Sequence, residues 1–242
     1  MRRTPTLLRS LILLPLLAAL LVSCAARQGG GPSLAGVAWI GASEGLDPNA
    51  KGMFLARDGR LLLLGETEQV GDTWTMSDTS LALVVSPGEG QTGKPQVHTV
   101  SASGGRMTLT PQRSGAPVVY IAEGAPASLR GTRWIPLWLR GTEKLEQPYG
   151  MGAEPFLLFD AQGAKVSGFA GINTFSGPYA RGGDIKVSFG PLATTRKAGQ
   201  GMPWETRFLE ALTQADTMVV TTRRLYLFRE TLPLAIFQPP RL

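Results

Sequence analysis

Pro203-Trp204-Glu205-Thr206-Arg207-Phe208-Leu209-Glu210-Ala211-Leu212-Thr213-Gln214-Ala215 decides the fold class of this chain. Pro203 suits the first turn of a helix, where its missing N–H would have had no intrahelical partner. Trp204, Phe208, Leu212 and Ala215 recur at helical spacing, and Leu209 and Ala211 widen the apolar face. Around this one clear helix the text is strand-like. Before it, strands are expected at 132–139, 156–159, 165–169 and 185–189. After it they are expected at 218–221, 225–228 and 234–237. A single helix on an antiparallel sheet is an α+β arrangement.

Farther from the helix, residues 34–122 carry short runs rich in Val, Leu, Thr and aromatics, at 53–56, 60–64, 73–76, 81–85, 97–100, 107–109 and 118–121. Asp58-Gly59, Gly71-Asp72, Pro87-Gly88-Glu89-Gly90 and Gly104-Gly105 separate them as turns. Strands so short and so evenly spaced predict an antiparallel barrel or sandwich. Gly124 and Pro126 mark 122–128 as a linker, which gives a β-rich N-terminal domain over 34–127 and a smaller sheet with its packed helix over 128–242.

The N-terminus has another character. Arg2, Arg3 and Arg9 precede an apolar run, Leu11 to Val22, of about a dozen residues, the length of a signal-peptide core. A spanning helix needs about 20, so the run is too short for a permanent anchor. Leu21-Val22-Ser23-Cys24 resembles the lipobox of bacterial lipoproteins. That resemblance implies removal of residues 1–23 and a diacylglycerol thioether with further acylation, palmitate included, on Cys24, the only cysteine. Two or three acyl chains hold a protein stably on a bilayer where one holds it marginally. Ala25 stands where Asp would favour retention at the inner membrane, so the expected site is the outer membrane, facing the periplasm. Residues 24–33, rich in glycine, form a flexible tether.

Within 128–242, Gly131-Thr132-Arg133-Trp134, Pro155-Phe156-Leu157-Leu158-Phe159-Asp160, Val166-Ser167-Gly168-Phe169-Ala170-Gly171-Ile172-Asn173, Phe175-Ser176-Gly177-Pro178-Tyr179, Phe189-Gly190-Pro191-Leu192-Ala193-Thr194-Thr195-Arg196 and Phe208-Leu209-Glu210-Ala211-Leu212 follow in order. Together they resemble the META domain of HslJ-like heat-inducible envelope lipoproteins. The resemblance implies a small α+β fold linked with envelope stress and no established catalysis. Bacterial members often carry Cys where this chain has Ile172 and Gly199, a pair whose joint loss fits a missing disulfide. The first unit, with Phe54, Asp58-Gly59, Glu66 and Trp74, faintly resembles the N-terminal barrel of copper-resistance (NlpE-like) lipoproteins. That family's Cys-x-x-Cys is absent, so no copper or redox chemistry carries over.

Candidates for chemistry are few. His98 is the only histidine, so a metal centre or a Ser-His-Asp triad would have to rest on it; a strand-surface role is expected. Asp47 and Asp58 imitate part of a calcium loop, but Lys51 sits where an oxygen donor belongs. The turn-forming Gly and Asn residues of 168–173 are read as suppliers of positive φ. Trp134, Trp138, Trp204, Tyr149 and Tyr179 form either a groove or a core, and core is the expectation. Arg196, Lys197, Arg207, Arg223 and Arg224 form either a basic patch or ordinary solvated faces. The chain has a net charge of +6, part of it in the segment to be removed, and no basic stripe interleaved with aromatics, so nucleic acid is not an expected partner. No catalytic residue, metal or cofactor is expected. The chain reads as an envelope binding or stress-related maintenance protein whose partners are the membrane and an envelope protein or peptidoglycan. The alternatives are a carboxylate-dependent envelope hydrolase and a structural or inhibitory protein acting through a strand edge.

Overall fold

A computed structural model of the chain describes residues 33–42, 51–143, 145 and 154–240. The first sheet consists of β1 (Ala38–Gly41), β2 (Gly52–Leu55), β3 (Leu61–Leu64), β4 (Val70–Ser77), β5 (Ser80–Ser86), β6 (Lys94–Ser103), β7 (Arg106–Pro111) and β8 (Val118–Ala122). Its order is β3-β2-β1-β8-β7-β6-β5-β4, antiparallel throughout. The end strands meet at a single pairing of Arg60 with Thr73, beside which the Trp74 N–H donates to the Gly59 carbonyl at 2.9 Å. The sheet thus curls into a barrel. Its interior follows the period-2 alternation of the strands, with Leu55, Leu61, Leu81, Met107 and Leu109 buried inside.

The second sheet is built from β9 (Arg133–Leu139), β10 (Phe156–Phe159), β11 (Lys165–Phe169), β12 (Thr174–Gly182), β13 (Lys186–Phe189), β14 (Ala193–Thr194), β15 (Thr217–Val220), β16 (Leu225–Arg229) and β17 (Leu232–Gln238), with helix α1 (Met202–Gln214) between β14 and β15. Its order is β11-β10-β9-β17-β16-β15-β13-β12-β14, and β11 also pairs with β12. That extra pairing closes a ring of eight strands and leaves β14 attached to β12 alone. The α+β class expected from the sequence holds, but the sheet is larger than expected and closed. Trp204, Phe208, Ala211 and Leu212 of α1 join Trp134, Phe159, Phe175 and Phe237 in its core.

Without β14 and α1, the two sheets have the same strand order. Each opens on the same local device. Ser33-Leu34-Ala35-Gly36-Val37-Ala38-Trp39 and Ser128-Leu129-Arg130-Gly131-Thr132-Arg133-Trp134 share Ser, Leu, Gly and Trp in register. Gly36 and Gly131 take φ of 78° and 73°, a turn that only glycine adopts without strain. The indole N–H of Trp39 then donates to the Leu34 carbonyl at 3.0 Å, and that of Trp134 to the Leu129 carbonyl at 3.1 Å. The barrels differ between their fifth and sixth strands: residues 87–93 make a short turn in the first, whereas 190–216 carry β14 and α1 in the second.

The barrels also share a core of their own. Ala38, Phe54, Leu62 and Leu64 on the outside of the first pack with Ile185, Val219, Tyr226, Phe228 and Ile236 on the outside of the second. Polar contacts border this contact. Arg60 donates to Thr217 Oγ1 at 2.8 Å, Arg57 pairs with Asp184, and Arg229 pairs with Glu89. The segment read as a linker is held from both sides: the Glu123 N–H donates to the Ala38 carbonyl at 2.8 Å and the Ala127 N–H to the Thr221 carbonyl at 3.0 Å.

Candidate functional site

The insertion that distinguishes the second barrel also creates a groove. Helix α1 starts after Gly201, and Glu205, in its first turn, points inward with the apolar face. At 3% exposure, a carboxylate this buried destabilises the fold unless its oxygens are hydrogen-bonded. Here the Ile172 and Asn173 backbone N–H groups donate to Oε2 at 3.0 and 2.7 Å, and Asn173 Nδ2 donates to Oε1 at 2.7 Å. The Asn173 amide is itself fully used. Nδ2 also donates to the Lys197 carbonyl at 3.0 Å, while Oδ1 accepts from Thr195 Oγ1 and from the Lys197 N–H, both at 2.8 Å.

The local sequence explains why this tie forms. Gly171, at φ 108°, turns the chain so that two successive amides aim at one carboxylate. Gly168 serves differently from the expected positive φ. A Cβ there would lie 2.1 Å from the Phe156 carbonyl oxygen and 2.6 Å from the Phe175 ring, so the residue permits close approach. Glu205 and Asn173 thereby fasten three pieces, the 171–173 turn, helix α1 and the 195–197 segment. The groove left between helix and segment has a volume of about 550 Å³. Thr194 to Lys197 line one side, Met202, Thr206, Leu209 and Thr213 the other, and Asn173 and Glu205 the base.

Of the residues singled out by sequence, Arg196 and Lys197 reach this groove. Arg207 pairs with Glu210 along the helix at 2.9 Å, and Arg223 and Arg224 lie on the β15–β16 turn, where Arg224 is buried. The five cations therefore make no single patch. Trp134 and Trp204 are core residues, Tyr179 meets Phe159 edge-on at 4.9 Å, and Trp138 packs at the contact between barrels. Ile172 and Gly199 are neighbours, since a Cβ on Gly199 would lie 3.1 Å from Ile172 Cδ1. Ile172 thus fills the space that the family resemblance assigned to a sulfur pair.

His98 lies on β6 opposite Leu81 and Pro111, half-buried, with Nδ1 unpaired among the described residues. Asp58 is engaged by Arg60 at 2.8 Å. Burial pushes its pKa upward, but hydrogen bonds from the Arg60 side chain and backbone N–H outweigh that and hold the carboxyl below its ordinary value. Cys24, Asp47 and Tyr149 lie outside the described residues. Among the described residues, no three His, Cys, Asp or Glu side chains gather as a metal site would require, and no helix is long and apolar enough to cross a membrane. Glu205 and Asn173 are the residues that sequence reasoning missed as a pair. The signal available was an acid one position from Trp204 on the inward face of an amphipathic helix.

With the geometry in hand, residues 127–240, the C-terminal part of the chain, match the META domain family. That domain associates the chain with an envelope-associated protein family. No curated protein matches the chain. A solved NMR structure of a protein from Burkholderia xenovorans is similar at 25% identity, covering 54% of this chain and 97% of that one, with a TM-score of 0.41.

Proposed function

We propose that this protein is a lipid-anchored component of the bacterial envelope, held through Cys24, that works by holding a ligand in the groove between α1 and 194–197, without turnover. The observation that supports binding is the state of the groove's carboxylates. Glu205 has both oxygens committed to Ile172 and Asn173, and Glu210 is paired with Arg207. Acid hydrolysis needs one carboxyl free to give a proton and a second free to attack or activate water. A buried, fully bonded acid instead makes a rigid wall, and rigid walls favour binding by lowering the ordering cost.

The test places a photo-crosslinking residue at Thr206 in the groove and, as control, at Thr110 on the outside of the first barrel, in cells making the full chain. Selective capture from Thr206 is the expected result; equal labelling at the two positions would refute a groove ligand. Purified protein is assayed beside it on peptidoglycan and common hydrolase substrates, where turnover abolished by Glu210→Gln with folding intact would overturn the binding reading. Anchoring is tested with Cys24→Ser, which is expected to abolish acylation and partitioning into detergent.

A further inference from the structure

β14 is the last strand of its sheet and pairs only with β12. Its register fixes which way its backbone points. Thr195 N–H donates to the Thr174 carbonyl at 3.1 Å, so Thr174 and Thr195 form a hydrogen-bonded pair. Antiparallel ladders alternate bonded and non-bonded pairs, and Phe175 opposite Thr194 is therefore the non-bonded kind. The N–H and C=O of Thr194 consequently face away from β12. An exposed edge of this kind is the element to which an extended chain adds as a further strand.

Two other observations concern what would lie there. Across the groove, Met202, Thr206, Leu209 and Thr213 follow the helical repeat and give a wall of small polar and apolar groups on which side chains of an added strand can rest. The exposed charge on the segment side of the groove is positive. Arg196 and Lys197 are exposed, and neither side chain has an ionic partner among the described residues, whereas Glu210 is paired with Arg207 and Glu205 is buried at the base with its oxygens turned to neutral amide donors. We propose that the groove takes an extended polypeptide segment as an added strand on β14, its main chain bonded to Thr194 and its Asp or Glu side chains facing Arg196 and Lys197. This deepens the groove-binding reading above and rests on it. Residues i and i+2 of a strand point the same way, so the acids of the ligand fall at alternate positions.

The experiment pans a random octapeptide phage library against the mature chain and measures selected peptides by fluorescence anisotropy. Peptides with acids at alternate positions are expected to be enriched. Thr194→Pro removes the outward N–H without removing a bond to β12, a position where edge strands accept proline. It is expected to weaken binding at least about tenfold, as one lost main-chain hydrogen bond and a steric conflict would. N-methylation of alternate peptide amides should weaken binding of the unaltered protein in the same way, which keeps the test valid if Thr194→Pro fails to fold. Arg196→Glu with Lys197→Glu should shift selection toward basic peptides. Selection without acidic bias, or binding unchanged by both Thr194→Pro and N-methylation, overturns strand addition. If Thr206 meanwhile captures a glycan, groove binding stands and the polypeptide assignment falls; if neither panning nor Thr206 crosslinking yields a ligand, both fall.

Discussion

The two barrels share a strand order but differ in what fills them. The first is packed mainly with aliphatic chains, Leu55, Leu61, Leu81, Met107 and Leu109, around the buried ring of Trp39. The second is packed with rings: Phe208 of α1 lies 5.5 Å from Trp204, 5.6 Å from Phe175 and 5.9 Å from Phe237. Side chains alone can fill an eight-stranded barrel of this kind. An inserted helix brings its own apolar face, and large rings bridge from that face to the strands with favourable edge and offset contacts. The comparison separates scaffold from site. What the barrels share is the strand order and the Trp-to-Leu hydrogen bond; what only one has, residues 190–216, is where the groove lies.

The most severe way to break the comparison is to separate the barrels. A fragment from 127 to 242 has a complete ring of strands and its helix, which argues for folding alone, but it exposes Ile185, Val219, Tyr226, Phe228 and Ile236. We expect a folded fragment that self-associates, read as a rising apparent mass with concentration in size-exclusion chromatography. A monodisperse monomer would mean that the shared face is not an essential core. Next in size is Ile172→Cys with Gly199→Cys. Their contact predicts a disulfide under oxidising conditions, stabilising the second barrel by roughly 3 kcal/mol less any strain. Mass spectrometry showing two free thiols in the folded, oxidised variant would contradict that neighbourhood.

Glu205→Gln probes the insertion without changing its shape. An amide nitrogen replaces one oxygen that now accepts from N–H groups, leaving donor facing donor, at a cost of about 1–3 kcal/mol by urea denaturation. A change within a few tenths would show that the tie contributes little. The smallest effect concerns Tyr226, which stacks on Phe228 at the contact between barrels. Burial pushes its hydroxyl pKa far above the ordinary tyrosine range, with the Arg224 charge pulling weakly the other way. Because the folded value is raised, its contribution is intact below about pH 10 and is lost as pH rises further. Tyr226→Phe should leave neutral stability nearly unchanged and flatten the alkaline limb of the stability curve; an unaltered limb would assign it to other groups.

Much of this was legible in the residues. Phe156–Phe159 and Lys165–Phe169 fall where alternation put them, and α1 begins one residue before Pro203. β12 was not legible as a strand, because Gly177-Pro178 reads as a turn. In the structure, Pro178 pairs with Lys165 and its carbonyl accepts from the Gly190 N–H at 2.9 Å, so the missing donor costs the ladder little. β1 was hidden by its shortness and by Ala38 and Gly41. Closure was beyond reach for a different reason: a period of two identifies an inward face but not whether the end strands meet. The repeat of Ser-Leu-x-Gly-x-x-Trp was on the page and needed only a comparison of the chain with itself. The inward place of Glu205 beside Trp204 was a signal, but its partners were not legible, since they lie 32 and 33 residues away and a glutamate on a helix is ordinarily solvated.

Arg140 reaches out of the second barrel to the weakest place in the first. Its guanidinium donates to the Pro233 carbonyl at 2.7 Å within its own barrel, to the Thr67 carbonyl at 3.0 Å, and pairs with Glu68 at 2.7 Å. Thr67 and Glu68 belong to the connection between β3 and β4, the strands joined by a single pairing. Opening that seam strips Arg140 of its partners, and undocking the second barrel releases the seam. Local opening of one half is thereby linked to the other, and the amides of β3 and β4 are expected to exchange with solvent deuterium together with those facing the contact between barrels; exchange of β3 and β4 well before them would show that the seam opens on its own.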